Sequence, residues 1–525
     1  RFYISELMLF IKVKPTKGDL MRKLTKTFIV SLTLCIAFTL WGIIPESIMG
    51  KGSLGNVTTA IQTALVSKFG WFYIISVSII LGVSIFLIVS KYGSIRLGKD
   101  DDEPDYSYMT WFAMLFSAGM GIGLVFWGVA EPLNHLYAPP FGESATEESA
   151  RLALRFSFFH WGLHPWGLYA FVALCIAYFT FRKGKASTIS ATVGPLFKGG
   201  DHGRIAHLFD VLAVFATVFG VATSLGLGAK QIAGGVSYLT SIPNSLTTQL
   251  VIIAIVTVLF MLSAQTGLDK GIKYLSNTNI ILAFALMIIV LFAGPTNFIM
   301  NYFTSTIGSY IQELPSMSFR LSPLDEGGNQ WIQSWTIFYW AWWIAWSPFV
   351  GTFIARVSRG RTIREFVIGV LLVPTIIGAL WFSVFGGTGI HMELFGDAHI
   401  FEKVKEMGTE VGLFAMFDQM GSFGSALSVL AILLISTFFI TSADSATFVL
   451  GMLTTHGSLN PPNRIKMIWG IVLAALASIL LYVGGLEALQ TAAIIAAFPF
   501  VFVIFFMMAA LFKELQKEGR MKRHK

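Results

Sequence analysis

The chain has 525 residues, of which 55% are hydrophobic and 13% are charged. A soluble domain carries about 25% charged residues, so this composition excludes a set of soluble domains and indicates an all-α integral membrane protein. The net charge of +8 does not indicate nucleic-acid binding, because basic residues in a membrane protein mainly set its orientation. The two cysteines, Cys35 and Cys175, fall in predicted spans, so we expect neither a disulfide framework nor a cysteine metal site.

The N-terminal segment differs from the chain that follows it. Residues 1–20 do not share its pattern, whereas Met21-Arg22-Lys23-Leu24 resembles a natural start. The segment has neither the long apolar core nor the cleavage site of a signal peptide. We therefore expect residues 1–20 to be upstream sequence or to reflect an alternative start, within a cytoplasmic N-terminal segment that ends at residue 27.

Apolar runs of about 20 residues predict twelve transmembrane helices. The predicted spans are 28–47, 71–90, 108–130, 157–181, 207–230, 249–267, 277–297, 333–355, 363–386, 422–452, 465–483 and 487–512. Most of the 37 Lys and Arg residues fall in the segments that lie on one side if the spans alternate in direction. The positive-inside rule makes that side the cytoplasm, so we expect both termini to be cytoplasmic.

The third span contains a glycine motif, Ser117-Ala118-Gly119-Met120-Gly121-Ile122-Gly123. Three glycines at alternate positions, each costing a helix about 1 kcal/mol, predict a locally unwound backbone. In mid-membrane such backbone is tolerated where it lines a cavity, and its free N–H and C=O groups can hold a carboxylate and a cation. The alternative is close helix packing, which favours glycines four residues apart.

The fourth span carries Trp161, Trp166 and Tyr169, which fall within about 140° on a continuous helix. Alone, this pattern fits core packing or an interfacial belt better than a ligand site. His160 and His164 have the i, i+4 spacing of metal ligands, but no carboxylate or cysteine accompanies them in the sequence. We therefore do not expect a metal site at this pair.

The eighth span contains the aromatic segment Phe338–Phe349, in which four tryptophans, a tyrosine and two phenylalanines occur in twelve residues. An indole face suits a cation that cannot donate a hydrogen bond. The alternative is a packing helix or an aromatic belt, but belts lie at the ends of spans. Pro348, which follows Ser347, predicts an interruption of this helix, because proline supplies no N–H.

The tenth span holds Phe438, Thr441, Ser442 and Asp444 within the membrane. Hydroxyl and carbonyl oxygens suit a small cation, and polar groups in a span are costly unless they are used. The alternative is hydrogen bonding between helices.

The two spans predicted to be interrupted, the third and the eighth, are five spans apart. This spacing predicts two five-helix inverted repeats, residues 108–297 and 333–512. Two leading helices and a cytoplasmic linker would occupy residues 28–107. An extracellular loop would occupy residues 298–332, and a short basic cytoplasmic tail residues 513–525.

From about Met21 onward the chain resembles the betaine/choline/carnitine transporter family. The motifs that carry the resemblance are Gly119–Gly123, Glu131-Pro132, His160-Trp161, Phe338–Arg361 and Thr441–Ser445. Within the family the chain is most similar to bacterial sodium-coupled glycine betaine carriers. The resemblance implies a LeuT-like core after two leading helices, a homotrimer and a place in the bacterial cell membrane.

The resemblance also implies roles for individual residues. The aromatic box around the quaternary ammonium would comprise Trp161, Trp166, Tyr169 and Trp343. The path and gates would be lined by Trp340, Trp342, Trp346 and Phe349. The glycine motif would contribute Met120, Gly121 and Gly123 to substrate binding. A sodium site would comprise Ser117, Met120, Phe438, Thr441 and Ser442, and weaker candidates for a second sodium site are Thr217 and Phe349.

The chain differs from family members in three features. Lys230 stands where the family usually has an uncharged residue, and the polar tail is shorter than the regulatory tails of some members. Proton-coupled choline carriers often have Asp at the last position of the glycine motif, where this chain has Gly123. We expect this glycine to leave the cavity without that charge and able to accept a zwitterion.

These features predict a sodium/glycine betaine symporter that works by alternating access and accumulates an osmoprotectant, with sodium as the coupling ion and no other cofactor. The alternatives are a choline carrier coupled to protons or sodium, and a sodium-independent carnitine/betaine antiporter. A channel would need a continuous polar pore lining, which no span shows. An enzyme would need a juxtaposed nucleophile and base, and apart from the histidine pair no span offers one.

Overall fold

The computed structural model describes residues 24–119, 121–265 and 271–521. Regular structure in these ranges is helical, apart from one isolated antiparallel bridge between Arg96 and Thr362. The prediction of an all-α protein is confirmed.

The α-helices of twelve or more residues are numbered in chain order. They are α1 (Lys26–Ile43), α2 (Leu54–Val89), α3 (Tyr108–Gly119), α4 (Ile122–Tyr137), α5 (Glu147–Trp161), α6 (Leu163–Ala177), α7 (Arg204–Leu239), α8 (Leu246–Gln265), α9 (Gly271–Ala293), α10 (Thr296–Ser318), α11 (Phe338–Arg356), α12 (Ile363–Phe395), α13 (Ser422–Leu453) and α14 (Asn463–Met521).

Within the described residues each predicted apolar run lies mainly in helices, but the number of crossings stays a prediction. Eight helical stretches of the described chain are long and apolar enough to cross a membrane. The third and fourth spans each divide into a pair of helices. The eleventh and twelfth are joined in α14, which is interrupted by non-helical Gly484 and Gly485.

The helix break predicted by the glycine motif is confirmed. Helix α3 ends at Gly119 and α4 begins at Ile122, while Gly121 between them is extended, with φ −153° and ψ −156°. The backbone groups at this break therefore have no continuous helix to bond with.

The fourth span is also broken, which the sequence analysis did not predict. Gly162, with φ −100° and ψ −128°, separates α5 from α6. A Cβ at this position would lie 2.4 Å from Phe158 O, so the bend requires glycine. The first N–H of α6, on Leu163, donates to the Tyr310 hydroxyl at 3.0 Å. The side chain of a distant helix thereby satisfies a backbone group that the break exposes.

Helix α11 is continuous through Pro348, so the prediction of an interruption there is wrong. Proline removes the N–H that would bond Ile344 O, but the Ser347 hydroxyl donates to that carbonyl at 2.8 Å. The irregular part of the eighth span is instead a π-helical turn, Gln333–Ile337, before α11. The interruption of the eighth span, one of the two that suggested an inverted repeat, therefore lies before α11 and not at Pro348.

The segment predicted to be an extracellular loop is largely helical. It contains α10 and the short helix Glu326–Ile332. The buried residues of α10 include Ile299, Thr306 and Tyr310, at spacings that place them on one face of the helix. Helix α10 packs against α5 and α12 through that face.

The aromatic helix α11 occupies the interior of the molecule. It packs against α6, α7 and α14, and its residues from Phe338 to Thr352 are all buried. Helices α4 and α5 pack against each other and both contact α12. This packing brings the two broken spans and α11 together.

Candidate functional site

The four aromatic residues predicted to form a box make a contiguous row of rings. Trp161 and Trp343 have centroids 4.8 Å apart, Trp343 and Tyr169 6.2 Å, and Tyr169 and Trp166 5.5 Å, all edge to face. The residues come from α5, α6 and α11, and each is buried. Such a row can offer π faces to a cation away from water. That it binds one stays a prediction.

Further rings continue this row along α11. Trp342 stacks on Trp343 with centroids 4.7 Å apart and an interplanar angle of 15°. Trp346 lies 6.3 Å from Trp342, and Phe349 lies 5.6 Å from Trp346. The predicted path residues on this side of the helix therefore form one series.

Trp340 does not join that series. Its ring stacks on His164, with centroids 5.2 Å apart and an interplanar angle of 14°, and it also contacts Phe159. Its position two residues before Trp342 turns it to another face of α11, where it packs in the protein interior.

The helix break places Gly121 between the aromatic row and α13. A Cβ at Gly121 would lie 3.9 Å from both Ser442 Oγ and Trp346 Cη2. Gly123 is more tightly enclosed, since a Cβ there would lie 2.6 Å from Trp342 Cη2 and 3.1 Å from Trp161 Cη2. The rings can approach α4 this closely because residue 123 is glycine.

The predicted sodium ligands are described in part. Met120 lies outside the described residues, and the side chain of Ser117 is likewise not described. In α13, Thr441 Oγ1 accepts from Asn279 Nδ2 at 2.9 Å and lies 3.2 Å from Phe438 O.

Thr217 on α7 is a separate candidate for binding an ion. Its Oγ1 is buried and has no hydrogen-bond partner among the described residues. A buried hydroxyl without a partner is costly, so this atom is available to a ligand.

A buried carboxylate behind the box is the principal feature that the sequence analysis did not identify. Glu131 Oε1 is 2.8 Å from His160 Nδ1 and 3.2 Å from His135 Nε2. Glu131 Oε2 accepts from Trp161 Nε1 at 2.8 Å and from the Tyr339 hydroxyl at 2.5 Å. We call these five residues, all fully or nearly fully buried, the Glu131 cluster.

The premise that no carboxylate accompanies His160 is therefore wrong. Glu131, 29 residues earlier, contacts it, and the bend at Gly162 separates His160 from His164. The ligand atoms of Glu131, His135 and His160 lie within 4.8 Å of one another, as a metal site would require. Their N–O separations are those of hydrogen bonds, which account for the arrangement without a metal.

Gly123 brings no charge to the cavity, and that this lets the site accept a zwitterion stays a prediction. An acidic group nevertheless lies nearby, because Glu131 is directly behind Trp161. The signal was present as Glu131-Pro132, an acidic residue at the end of an apolar run. In the sequence this residue had been recognised only as part of a family motif.

Buried aromatic rings beside a helix broken in the middle of a membrane protein are typical of a solute transporter. Residues 26–520 match the profile of the family described as BCCT, betaine/carnitine/choline family transporter. The chain belongs to this family, whose members are transporters and not enzymes.

Curated relatives cover nearly the whole chain. It is 54% identical over 502 residues to the glycine betaine transporter OpuD of Bacillus subtilis, covering 95% of this chain and 96% of the relative. It is 42% identical to a probable glycine betaine transporter of Desulfitobacterium hafniense, covering 95% and 98%. It is 47% identical to an ectoine/hydroxyectoine transporter of Virgibacillus pantothenticus, covering 86% and 89%.

Proposed function

We propose that this protein imports glycine betaine by sodium symport with alternating access. The observation that carries the proposal is the buried row of Trp161, Trp343, Tyr169 and Trp166 beside the helix break at Gly121. A trimethylammonium group has no N–H to donate, so cation–π contact and shape must recognise it. The name of the Bacillus subtilis relative supports betaine as the substrate.

The two ends of betaine need different partners, and the site offers both kinds. Trp161, Trp166, Tyr169 and Trp343 would surround the ammonium group. The backbone N–H groups at Gly121 and Gly123 would face the carboxylate, because a broken helix presents donors that no carbonyl of the same helix accepts. The series from Trp342 through Trp346 to Phe349 would line the path along α11.

Sodium would bind where α13 approaches the helix break. Ser442 lies against Gly121, and Thr441 contributes a hydroxyl one residue earlier. A site that shares the broken span with the substrate would couple the two. The membrane potential favours inward sodium movement by about 2.3 kcal/mol per charge per 100 mV. The candidates for a second ion are Phe349 and Thr217, whose hydroxyl has no hydrogen-bond partner among the described residues.

The architecture that we propose has twelve spans, two leading helices and a ten-helix LeuT-like core. Both termini would lie in the bacterial cytoplasm, as the distribution of Lys and Arg favours. The assembly would be a homotrimer, as the family resemblance implies.

Uptake by proteoliposomes tests substrate and coupling together. Labelled betaine is offered with an inward sodium gradient, with a proton gradient, and with neither. We expect accumulation only with sodium. Equal uptake in all three conditions would favour an antiporter, and proton-driven uptake would favour a proton-coupled carrier. Unlabelled choline, carnitine and ectoine serve as competitors.

The ectoine/hydroxyectoine relative makes ectoine the second candidate substrate. Ectoine carries its positive charge on a planar amidinium with N–H donors, so it needs hydrogen-bond acceptors that a trimethylammonium does not. Displacement of labelled betaine by a much lower concentration of ectoine than of betaine would make ectoine the preferred substrate.

The sodium site is tested by Ser442→Ala. The matched control is Ser436→Ala. Ser436 lies on the same helix, and its hydroxyl donates to the backbone carbonyl of Ile432 one turn earlier. We expect the first variant to need several-fold more sodium for half-maximal uptake and the control to need no more than the unmodified protein. The same sodium requirement in both variants would remove Ser442 from the site.

A further inference from the structure

The hydrogen bonds of the Glu131 cluster define its charge. The Trp161 indole nitrogen can only donate, so Glu131 Oε2 accepts from it, and the same oxygen accepts from the Tyr339 hydroxyl. His160 and His135 contact the other oxygen. With both histidines donating, the carboxylate accepts four hydrogen bonds and has no position left for its own proton. The arrangement therefore indicates that Glu131 is ionised.

The two histidines do not cancel this charge. With its proton on Nδ1, His160 donates to Glu131 and can accept from the Thr336 hydroxyl through Nε2 at 3.0 Å. His135 has a buried Nδ1 with no partner among the described residues. A second proton there would be an unsatisfied buried donor, which favours neutral His135. These tautomers are assigned from the hydrogen-bond partners.

No lysine or arginine of the described residues forms an ion pair with Glu131. Arg320, at this end of the molecule, instead stacks on Trp331 and donates to Pro140 O. The cluster thus carries one negative charge inside the protein, and no described lysine or arginine contacts it directly. A charge inside a membrane protein is expensive and marks a functional position.

The charge is connected to the aromatic box through one hydrogen bond. The Trp161 N–H points at Glu131 while the same ring contacts Trp343. An N–H that donates to a carboxylate is polarised, and this raises the electron density of the ring. Cation–π attraction depends on that electron density, so Glu131 strengthens the face that Trp161 offers to a cation.

We propose that Glu131 is the fixed counter-charge of the substrate's cationic group and a determinant of selectivity, acting through Trp161. The inference rests on the proposed function, because it assumes that the aromatic row receives a quaternary ammonium. Glu131 is a positioning residue, since Trp161 lies between it and the ligand. It makes the site selective for a real positive charge over an uncharged group of the same shape.

Carbon isosteres separate charge from shape. In 3,3-dimethyl-1-butanol a carbon replaces the nitrogen of choline, and in 3,3-dimethylbutanoate a carbon replaces that of betaine. Binding to the purified protein is followed by tryptophan fluorescence. We expect the unmodified protein to bind each ammonium compound at least tenfold more tightly than its carbon isostere. Equal binding of the two members of both pairs would overturn the proposal without any variant.

Glu131→Gln keeps the size of the side chain and removes the charge. We expect the preference for the ammonium compound over its isostere to fall at least tenfold, with choline, a net cation, losing more affinity than zwitterionic betaine. Glu131→Asp, which keeps the charge, should restore part of the preference. Asp210→Asn is the matched control, because it neutralises a buried carboxylate that accepts from Ser190 N and is not part of the Glu131 cluster.

A purely structural role gives a different result. If Glu131→Gln weakens the ammonium compounds and their isosteres by the same factor, or if Asp210→Asn lowers the preference as much, Glu131 only supports the fold. Should Glu131→Gln not fold, Trp161→Phe breaks the link from the ring to Glu131, and an unchanged preference in that variant contradicts the proposal. An unmodified protein that binds neither betaine nor choline would refute the proposed function itself.

Discussion

Lys230 and Glu410 form an ion pair, with Lys230 Nζ 3.1 Å from Glu410 Oε1. The side chains are 16% and 5% exposed. The pair joins α7 to the short helical turn Thr409–Val411, and Glu410 also accepts from Asn244 Nδ2. A lysine that departs from the family pattern thus has a structural partner.

We predict that Glu410→Gln and Lys230→Met each lower the melting temperature of the purified protein, because each leaves a largely buried charge without its partner. The expected cost is on the order of 1–3 kcal/mol. The double variant should recover part of the loss, which a double-mutant cycle measures. Additive losses in the double variant would mean that the two charges do not stabilise each other.

Ser347 compensates for Pro348, and this yields a second prediction. Ser347→Ala should leave Ile344 O without its donor and destabilise the protein by about 1–3 kcal/mol. Ser347→Ala combined with Pro348→Ala should recover stability, because an alanine in place of the proline supplies the missing N–H. Thr352→Val is the control, since that hydroxyl only adds to the bonding of Pro348 O within the helix. If the double variant is less stable than Ser347→Ala, the Ser347 hydroxyl does not compensate for the N–H that Pro348 lacks.

Trp343 is the residue of the row whose loss should reduce binding most clearly. Trp343→Leu removes a π face, which is worth about 1–2 kcal/mol when desolvated and corresponds to about a tenfold weaker betaine affinity. Trp343→Phe keeps a ring but loses the Nε1 bond to His160 O and should lie between the two. Trp71→Leu, at a tryptophan 49% exposed on α2, is the control. Betaine titration of the three variants measures these affinities. An unchanged affinity in Trp343→Leu would exclude Trp343 from the site.

The end of α14, beyond the last predicted span, should respond to pH. Burial alone would raise the pKa of Glu518. Hydrogen bonds from Lys183, Arg182 and Tyr178 lower the pKa by more than burial raises it, so the net pKa is below its ordinary value. A carboxyl group with a depressed folded-state pKa adds stability above its unfolded-state pKa, and this contribution is lost as the pH falls through the folded-state pKa.

Hydrogen exchange near the end of α14 measures this effect. Corrected for intrinsic exchange rates, protection should decrease as the pH is lowered from 7 to about 3, which is below the ordinary pKa of glutamate. Glu518→Gln should show lower protection at pH 7 and little further change. Glu406→Gln, at an exposed position, should behave as the unmodified protein does. The same pH response with and without Glu518 would assign the effect to another group.

The sequence predicted the features that depend on local composition. The apolar runs located the helices, and the alternating glycines located the break between α3 and α4, because each acts on the backbone within a few residues. It failed at Pro348 because a single hydroxyl on Ser347 reverses the usual effect of proline. It missed the bend at Gly162, whose support comes from Tyr310 on a different helix.

The candidate site was predictable in its residue types but not in its arrangement. The density of tryptophans in Phe338–Phe349 favoured the prediction of a cation site, yet their spacing could not separate Trp340, which faces His164, from Trp342, which continues the row. Glu131 was missed because its partners lie 4, 29, 30 and 208 residues away. Only the packing of α4, α5 and α11 brings them together.

The long separation between Glu131 and Tyr339 has a consequence for biosynthesis. During synthesis, Glu131 on α4 leaves the ribosome 208 residues before Tyr339, whose hydroxyl completes the hydrogen bonds of the carboxylate. Until α11 is made, Glu131 has the contacts with His135, His160 and Trp161 available but lacks its fourth donor, the Tyr339 hydroxyl. The first half of the chain therefore cannot complete the environment of this buried carboxylate by itself. Its hydrogen bonds are complete only when the aromatic helix lies beside it.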